Sequence, residues 1–97
     1  MRTPLFRPAA AADLAESVAW YEAQRAGLGL EFLDAAEDAV RRVIANPESH
    51  ALVYKDRRRA LLQRFPYSLV YRLIDGQVIV IALVHAKRKP SVWRSRL

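Results

Sequence analysis

Tyr67-Ser68-Leu69-Val70-Tyr71-Arg72-Leu73-Ile74-Asp75-Gly76-Gln77-Val78-Ile79-Val80-Ile81-Ala82-Leu83-Val84-His85 decides the fold. β-branched and aromatic residues fill both halves, and Asp75-Gly76 divides them. A two-residue type I′ turn needs positive φ at both central positions, which Asp-Gly accepts at low cost. The stretch is therefore a β-hairpin, with strands expected over about 67–74 and 77–86. In the second strand both alternating sets, Val78/Val80/Ala82/Val84 and Ile79/Ile81/Leu83, are apolar, so neither face suits water. Helices can cover one face. Curling, a second copy or a partner protein is expected to cover the other, because large exposed apolar patches are rare in monomers.

Upstream, Phe65-Pro66 marks a corner, and Arg58–Arg64 supplies a third β-rich run that completes a meander. Before Asn46-Pro47 the period changes from two to three-and-four. Ala11, Leu14, Val18 and Tyr21 form one apolar helical stripe; Leu33, Ala36, Val40 and Val43-Ile44 form another, with Ala26-Gly27-Leu28-Gly29 breaking the pattern between them. Pro8 suits the first turn of the first helix, which runs to about Gln24. Thr3-Pro4-Leu5-Phe6-Arg7 is short and extended, and Pro4 belongs at a strand start or edge, so a first edge strand is expected at about 2–7. The reading is an α+β domain, β-α-α-β-β-β, with a helical hairpin packed on a twisted antiparallel sheet.

At 97 residues, 53% of them hydrophobic, the chain has material for one core, so residues 1–97 form a single domain with little room for a large cofactor. No cofactor is expected. The absence of cysteine, with only His50 and His85, argues against disulfides and a structural zinc site, and no metal is expected. The longest apolar run, Val78–Val84, is far too short for a bilayer span, and Met1-Arg2-Thr3-Pro4 starts no secretory segment. A cytoplasmic protein without membrane contact is expected. No phosphate-binding glycine loop, metalloprotease helix motif or serine elbow is present.

Charge divides the chain. Residues 1–48 hold five Arg against eight acids, a net −3, whereas residues 49–97 hold eleven Lys/Arg against two acids, a net +9. The second half can face phosphates or an acidic protein surface. Arg57-Arg58-Arg59 and Arg64 form one basic cluster, Arg58 and Arg64 sharing one strand face by alternation and Arg57 and Arg59 the other. His85-Ala86-Lys87-Arg88-Lys89 forms a second cluster. A metal-free ribonuclease needs a base, an acid and cations at the developing phosphorane charge, roles that His85, Lys87 and Arg88 could fill. The simpler reading, favoured because no second acid or base is visible, has His85 bonded to a backbone carbonyl at the strand end. The acids of the first half lie scattered on helices as solvated faces. Tyr67, Leu69, Tyr71 and Leu73 share one strand face and are expected in the core, although aromatics among basic residues also occur in proteins that stack bases. Trp93 lies outside every pattern, as a tail anchor or a partner contact.

In order along the chain, several segments resemble the RelE/ParE superfamily of type II toxin–antitoxin toxins, the ParE branch above all. They are Ala12-Asp13-Leu14 with Trp20-Tyr21-Glu22, Phe32-Leu33, Asn46-Pro47-Glu48, Arg64-Phe65-Pro66-Tyr67-Ser68-Leu69-Val70-Tyr71-Arg72, Val84-His85-Ala86-Lys87-Arg88-Lys89-Pro90 and the closing Pro90-Ser91-Val92-Trp93-Arg94. The resemblance implies the same β-α-α-β-β-β fold and a toxin neutralised by a cognate antitoxin, which typically carries a ribbon-helix-helix DNA-binding domain. Its two target classes are DNA gyrase, poisoned by binding, and mRNA on the ribosome, cleaved by RelE-like members.

Ribonuclease members carry lysines on the strand that here reads Ala60-Leu61-Leu62, an arginine where Ser68 stands, and a late arginine followed by a tyrosine; only Arg88 matches. Each missing charge-stabilising donor is worth about 3 kcal/mol in the transition state. The resemblance therefore favours a gyrase-binding toxin with no catalytic residues. Arg58, Arg64, Arg72, Lys87, Arg88, Lys89, Trp93 and Arg94 are its expected target contacts, and His85, Lys87 and Arg88 are the catalytic set of the ribonuclease alternative.

Overall fold

The computed structural model describes residues 3–97. In chain order the elements are β1 (Leu5–Phe6), α1 (Pro8–Gln24), α2 (Leu28–Ala45), β2 (Leu52–Tyr54), β3 (Arg57–Leu61), β4 (Tyr67–Ile74), β5 (Gln77–His85) and α3 (Ser91–Arg94). The five strands form one sheet in the order β1-β5-β4-β3-β2. The domain is α+β as expected, but the sheet is mixed rather than antiparallel, because β1 runs parallel to β5. A parallel pair needs a long crossover, and the helical hairpin with the meander behind it supplies one. Residue 2, where the first strand was expected to start, lies outside the described residues. No described helix is long and apolar enough to cross a membrane.

The hairpin turn follows its sequence: Asp75 and Gly76 have φ of 51° and 78°. β2 is additional to the expected strands. It is three residues long, and its turn into β3 gives positive φ to Lys55 rather than to a glycine or asparagine, so it carries no turn signature. β3 ends at Leu61, and Arg64 has a φ of 72° in the following corner. Strand alternation therefore does not reach Arg64, and the expected shared face with Arg58 is not formed.

α2 starts at Leu28, inside the segment expected to interrupt the helices. The carboxylate of Glu22 accepts hydrogen bonds from the backbone N–H groups of Gly27 (3.0 and 3.1 Å) and Gly29 (3.0 Å), satisfying donors that a helix start leaves unpaired. Gly29 lets the helices approach closely, since a Cβ there would stand 2.7 Å from the carbonyl oxygen of Val18. The buried stripes lie slightly off their expected positions. Ala10, not Ala11, is buried on α1, and Phe32, Ala36, Ala39 and Val43 line α2.

Between the helices and the sheet, these residues pack with Leu69, Tyr71, Val78, Val80 and Leu83. Tyr21, Phe32, Phe65 and Tyr67 form an aromatic group with centroids 4.8–6.0 Å apart. Tyr67 and Tyr71 are thus core residues, and the Tyr71 hydroxyl donates to the carbonyl of Pro47 at 2.6 Å.

The opposite face is covered by the chain itself. Val70, Ile79, Ile81 and Ala82 pack under Trp93 of α3. A register shift sets Val70 opposite Ala82 but Tyr71 opposite Val80, so Ile81 is an extra residue in β5. The strict alternation expected for β5 fails there: Ile81 and Ala82 both join the second face, and Leu83 returns to the helix side.

Candidate functional site

The last residues are clamped across the second face. Arg96 Nη1 donates to Asp13 Oδ2 of α1 at 2.6 Å and to the Ile81 carbonyl at 3.0 Å, and the same carboxylate oxygen accepts the Leu83 N–H at 3.1 Å. From the other side, Arg57, only 8% exposed, donates through Nη2 to the Arg96 carbonyl at 2.9 Å and through Nη1 to Asp56. Asp56 also binds Arg72, and the Arg72 hydrogen bond holds its carboxyl below the usual carboxylate range. The same occurs on α2, where Arg64 first and then Arg25 hold the Glu31 carboxyl low.

These bonds sort the eleven cations of the second half. Arg57, Arg64, Arg72 and Arg96 are ion-paired, and Arg58 donates to the carbonyls of Glu48 and His50 at 2.8 and 2.7 Å. Lys55, Arg59, Lys87, Arg88, Lys89 and Arg94 are exposed and ion-paired with none of the described residues.

Two of the six share one groove and two more lie over a neighbouring ring. Arg59 and Arg88 line a groove of about 390 Å³ on the second face, whose other walls include Val53, Val70, Val84, Pro90 and Trp93. Lys87 and Lys89 flank Arg88. The Arg94 guanidinium and the Lys55 ammonium lie over the Tyr54 ring at 4.8 and 5.3 Å, and Tyr54 meets Trp93 at 6.2 Å. No acid among the described residues lines this groove.

Of the expected target contacts, Lys87, Arg88, Lys89 and Arg94 are exposed without an ion pair among the described residues, Arg88 in the groove and Arg94 over Tyr54. Arg58, Arg64 and Arg72 are held by internal partners. Trp93, expected as a tail anchor or a partner contact, is 6% exposed, packs in the second cluster and lines the groove. Sequence reasoning left Lys55 and Arg59 out of the set. Arg59 was legible through alternation, which puts it opposite Arg58, whereas Lys55 carried no signal because β2 carried none. The clamp joins Asp13 to Arg96 over 83 residues, a separation that no local spacing reports.

His85 stands at the rim between this groove and a smaller crevice of about 150 Å³ shared with Glu16, Tyr67 and Arg88. Its Nδ1 accepts the Lys87 backbone N–H at 3.0 Å, not the carbonyl contact expected. In the neutral ring an acceptor Nδ1 goes with a proton on Nε2. No group of three or more His, Cys, Asp or Glu among the described residues could hold a metal ion.

The fold is similar to that of a solved chain from the chromosomal ParDE TA system from P. aeruginosa, with a TM-score of 0.65 and 22% identity over 88% of this chain and 96% of that one. No curated protein matches the chain. A family model described as ParE toxin of type II toxin-antitoxin system, parDE, matches residues 5–90, every element except α3 and the clamp residue Arg96. With nearly nine-tenths of its length inside that match, the chain belongs to the ParE toxin family of type II toxin–antitoxin systems.

Proposed function

We propose that this toxin arrests growth by binding DNA gyrase in the cytoplasm, and that a cognate antitoxin with a ribbon-helix-helix domain neutralises it. The observation that carries the reading is the sorting of the cations. Five of the basic residues in the second half are spent on the fold, and six have no ion pair among the described residues, with Arg59 and Arg88 in one groove and Lys55 and Arg94 over the adjoining Tyr54 ring. Clustered, unpaired cations steer and hold an acidic partner surface. An acidic antitoxin segment folding onto the same side would compete with the target for them.

Cleavage of mRNA on the ribosome fits the groove less well. Leu61 and Ser68 line it where ribonuclease relatives carry cationic groups, and the Nδ1 lone pair of His85 is already engaged.

The test is a gyrase supercoiling and DNA-cleavage assay with the purified protein, beside a ribosome-programmed mRNA cleavage assay. Accumulated gyrase–DNA cleavage complexes that diminish for Arg88→Ala/Arg94→Ala, with intact mRNA, support the reading. Cleaved mRNA with unaffected gyrase overturns it.

A further inference from the structure

We propose that Lys87 and Lys89 are acetylation sites, with Arg88 between them holding the phosphoryl group of an acyl phosphate that donates the acetyl group. The site itself does not rest on the gyrase reading.

The distribution of lysine gives the first argument. The chain holds thirteen arginines but only three lysines, Lys55, Lys87 and Lys89. All three are exposed and without an ion pair among the described residues, and every cation that does pair with a described acid is an arginine. A guanidinium keeps its proton, whereas a lysine amine can lose one and attack an acyl carbon. Acyl transfer to lysine therefore falls outside the ion-paired network of the fold.

The surroundings of the three amines give the second. The chain leaves β5 in a turn pinned through its backbone. The Ala86 N–H donates to the Pro66 carbonyl at 2.7 Å, the Lys87 N–H to His85 Nδ1 at 3.0 Å and the Arg88 N–H to the His85 carbonyl at 2.9 Å. Three long cationic side chains stand exposed on this turn, and Arg88 lines both the groove and the smaller crevice. A guanidinium binds phosphate oxygens through paired N–H groups, so a donor held on Arg88 has an amine one residue away on either side.

Lys55 lacks this arrangement. Its ammonium lies over the Tyr54 ring at 5.3 Å, its neighbour Asp56 repels a phosphate, and Arg57 beyond is buried and bonded to Asp56 and the Arg96 carbonyl. It serves as the comparison within the same molecule.

The step balances without another reactant. The lone pair of a neutral Nζ attacks the acetyl carbonyl carbon, an N–C bond forms, and the C–O bond to phosphate breaks. Inorganic phosphate leaves with the electron pair, and the Nζ proton passes to it or to water. Acetylation of both lysines lowers the formal net charge from +6 to +4 and touches no ion pair of the fold. On the gyrase reading, it weakens the hold on an acidic target surface.

The experiment incubates the full chain with acetyl phosphate and follows each lysine by peptide mass spectrometry after chymotryptic digestion. Lys87 and Lys89 should react about tenfold faster than Lys55, the effect of one charge-assisted hydrogen bond to the donor. Their rate should saturate with acetyl phosphate, and inorganic phosphate should slow it while leaving Lys55 unchanged. Arg88→Gln should bring both down to the Lys55 rate. Acetic anhydride, which carries no phosphate, should show no such preference, and the acetylated protein should melt where the unmodified one does. Equal rates with acetyl phosphate, a preference that survives Arg88→Gln or excess phosphate, the same preference with acetic anhydride, or a lower melting temperature after acetylation overturns the proposal. Because no gyrase is present, a failure here leaves the gyrase reading standing, and a gyrase failure leaves this site standing.

Discussion

Arg96 and Asp13 close the molecule from its two ends: their charged atoms meet at 2.6 Å, and each also bonds the β5 backbone, Arg96 at the Ile81 carbonyl and Asp13 at the Leu83 N–H. β1 covers only Ile79 and Val80 on that side of β5. The ion pair therefore takes over where the neighbouring strand stops, blunting an edge that would otherwise invite another chain.

Asp13→Ala should lower stability by about 2 kcal/mol, since it removes hydrogen bonds to a charged group and leaves the Leu83 N–H and Arg96 unpaired. Urea unfolding measures the loss. Hydrogen exchange at residues 91–97 should rise in step, and an unchanged tail would show that the clamp does not hold it.

Trp93→Ala should cost about 3–5 kcal/mol, as for other buried aromatics, because Val70, Ile79, Ile81 and Ala82 lose their cover. Increased binding of an apolar dye should accompany the loss. Full stability in this variant would mean that Trp93 serves only a partner.

Gly29→Ala would ordinarily favour a helix, yet here it should destabilise by about 1–3 kcal/mol. The new methyl group meets the Val18 carbonyl at 2.7 Å, a backbone atom that cannot swing away. Thermal melting tests the sign: a higher melting temperature would show that the helices separate without penalty.

Acid should weaken the fold through Glu31 and Asp56. Both carboxyls lie low in the folded protein, Glu31 through Arg64 and Arg25 and Asp56 through Arg72. Their stabilisation is complete above the unfolded carboxylate pKa of about 4 and is lost as pH falls through the lower folded values. Unfolding free energy measured downward from about pH 5 should decline less steeply in Glu31→Gln/Asp56→Asn than in the parent. Equal slopes would assign the acid limb to other groups.

Much of this was legible along the chain. The Asp75-Gly76 turn, the two helices and the meander follow from local turn chemistry and apolar period, which act over a few residues. The tyrosines of β4 declared their core face through period two. β2 escaped because three residues and a turn without glycine leave no pattern to detect. The start of α2 escaped because a glycine pair reads as a break until Glu22 is seen to bond both N–H groups.

The candidate site divided along the same line. The sequence by itself determined that the second half is cationic, that β5 is apolar on both faces, and that His85, Lys87, Arg88 and Lys89 stand together, since composition and adjacency need no fold. Which cations are free was decided only by tertiary structure. Arg58, Arg64, Arg72 and Arg96 find their partners on other elements, and Arg59 and Arg88 do not. The same holds for the cover on the second face. Trp93 reaches it because Arg96 is held by Asp13 and Arg57, and a contact between residues 83 positions apart depends on where the chain returns, which no local pattern encodes.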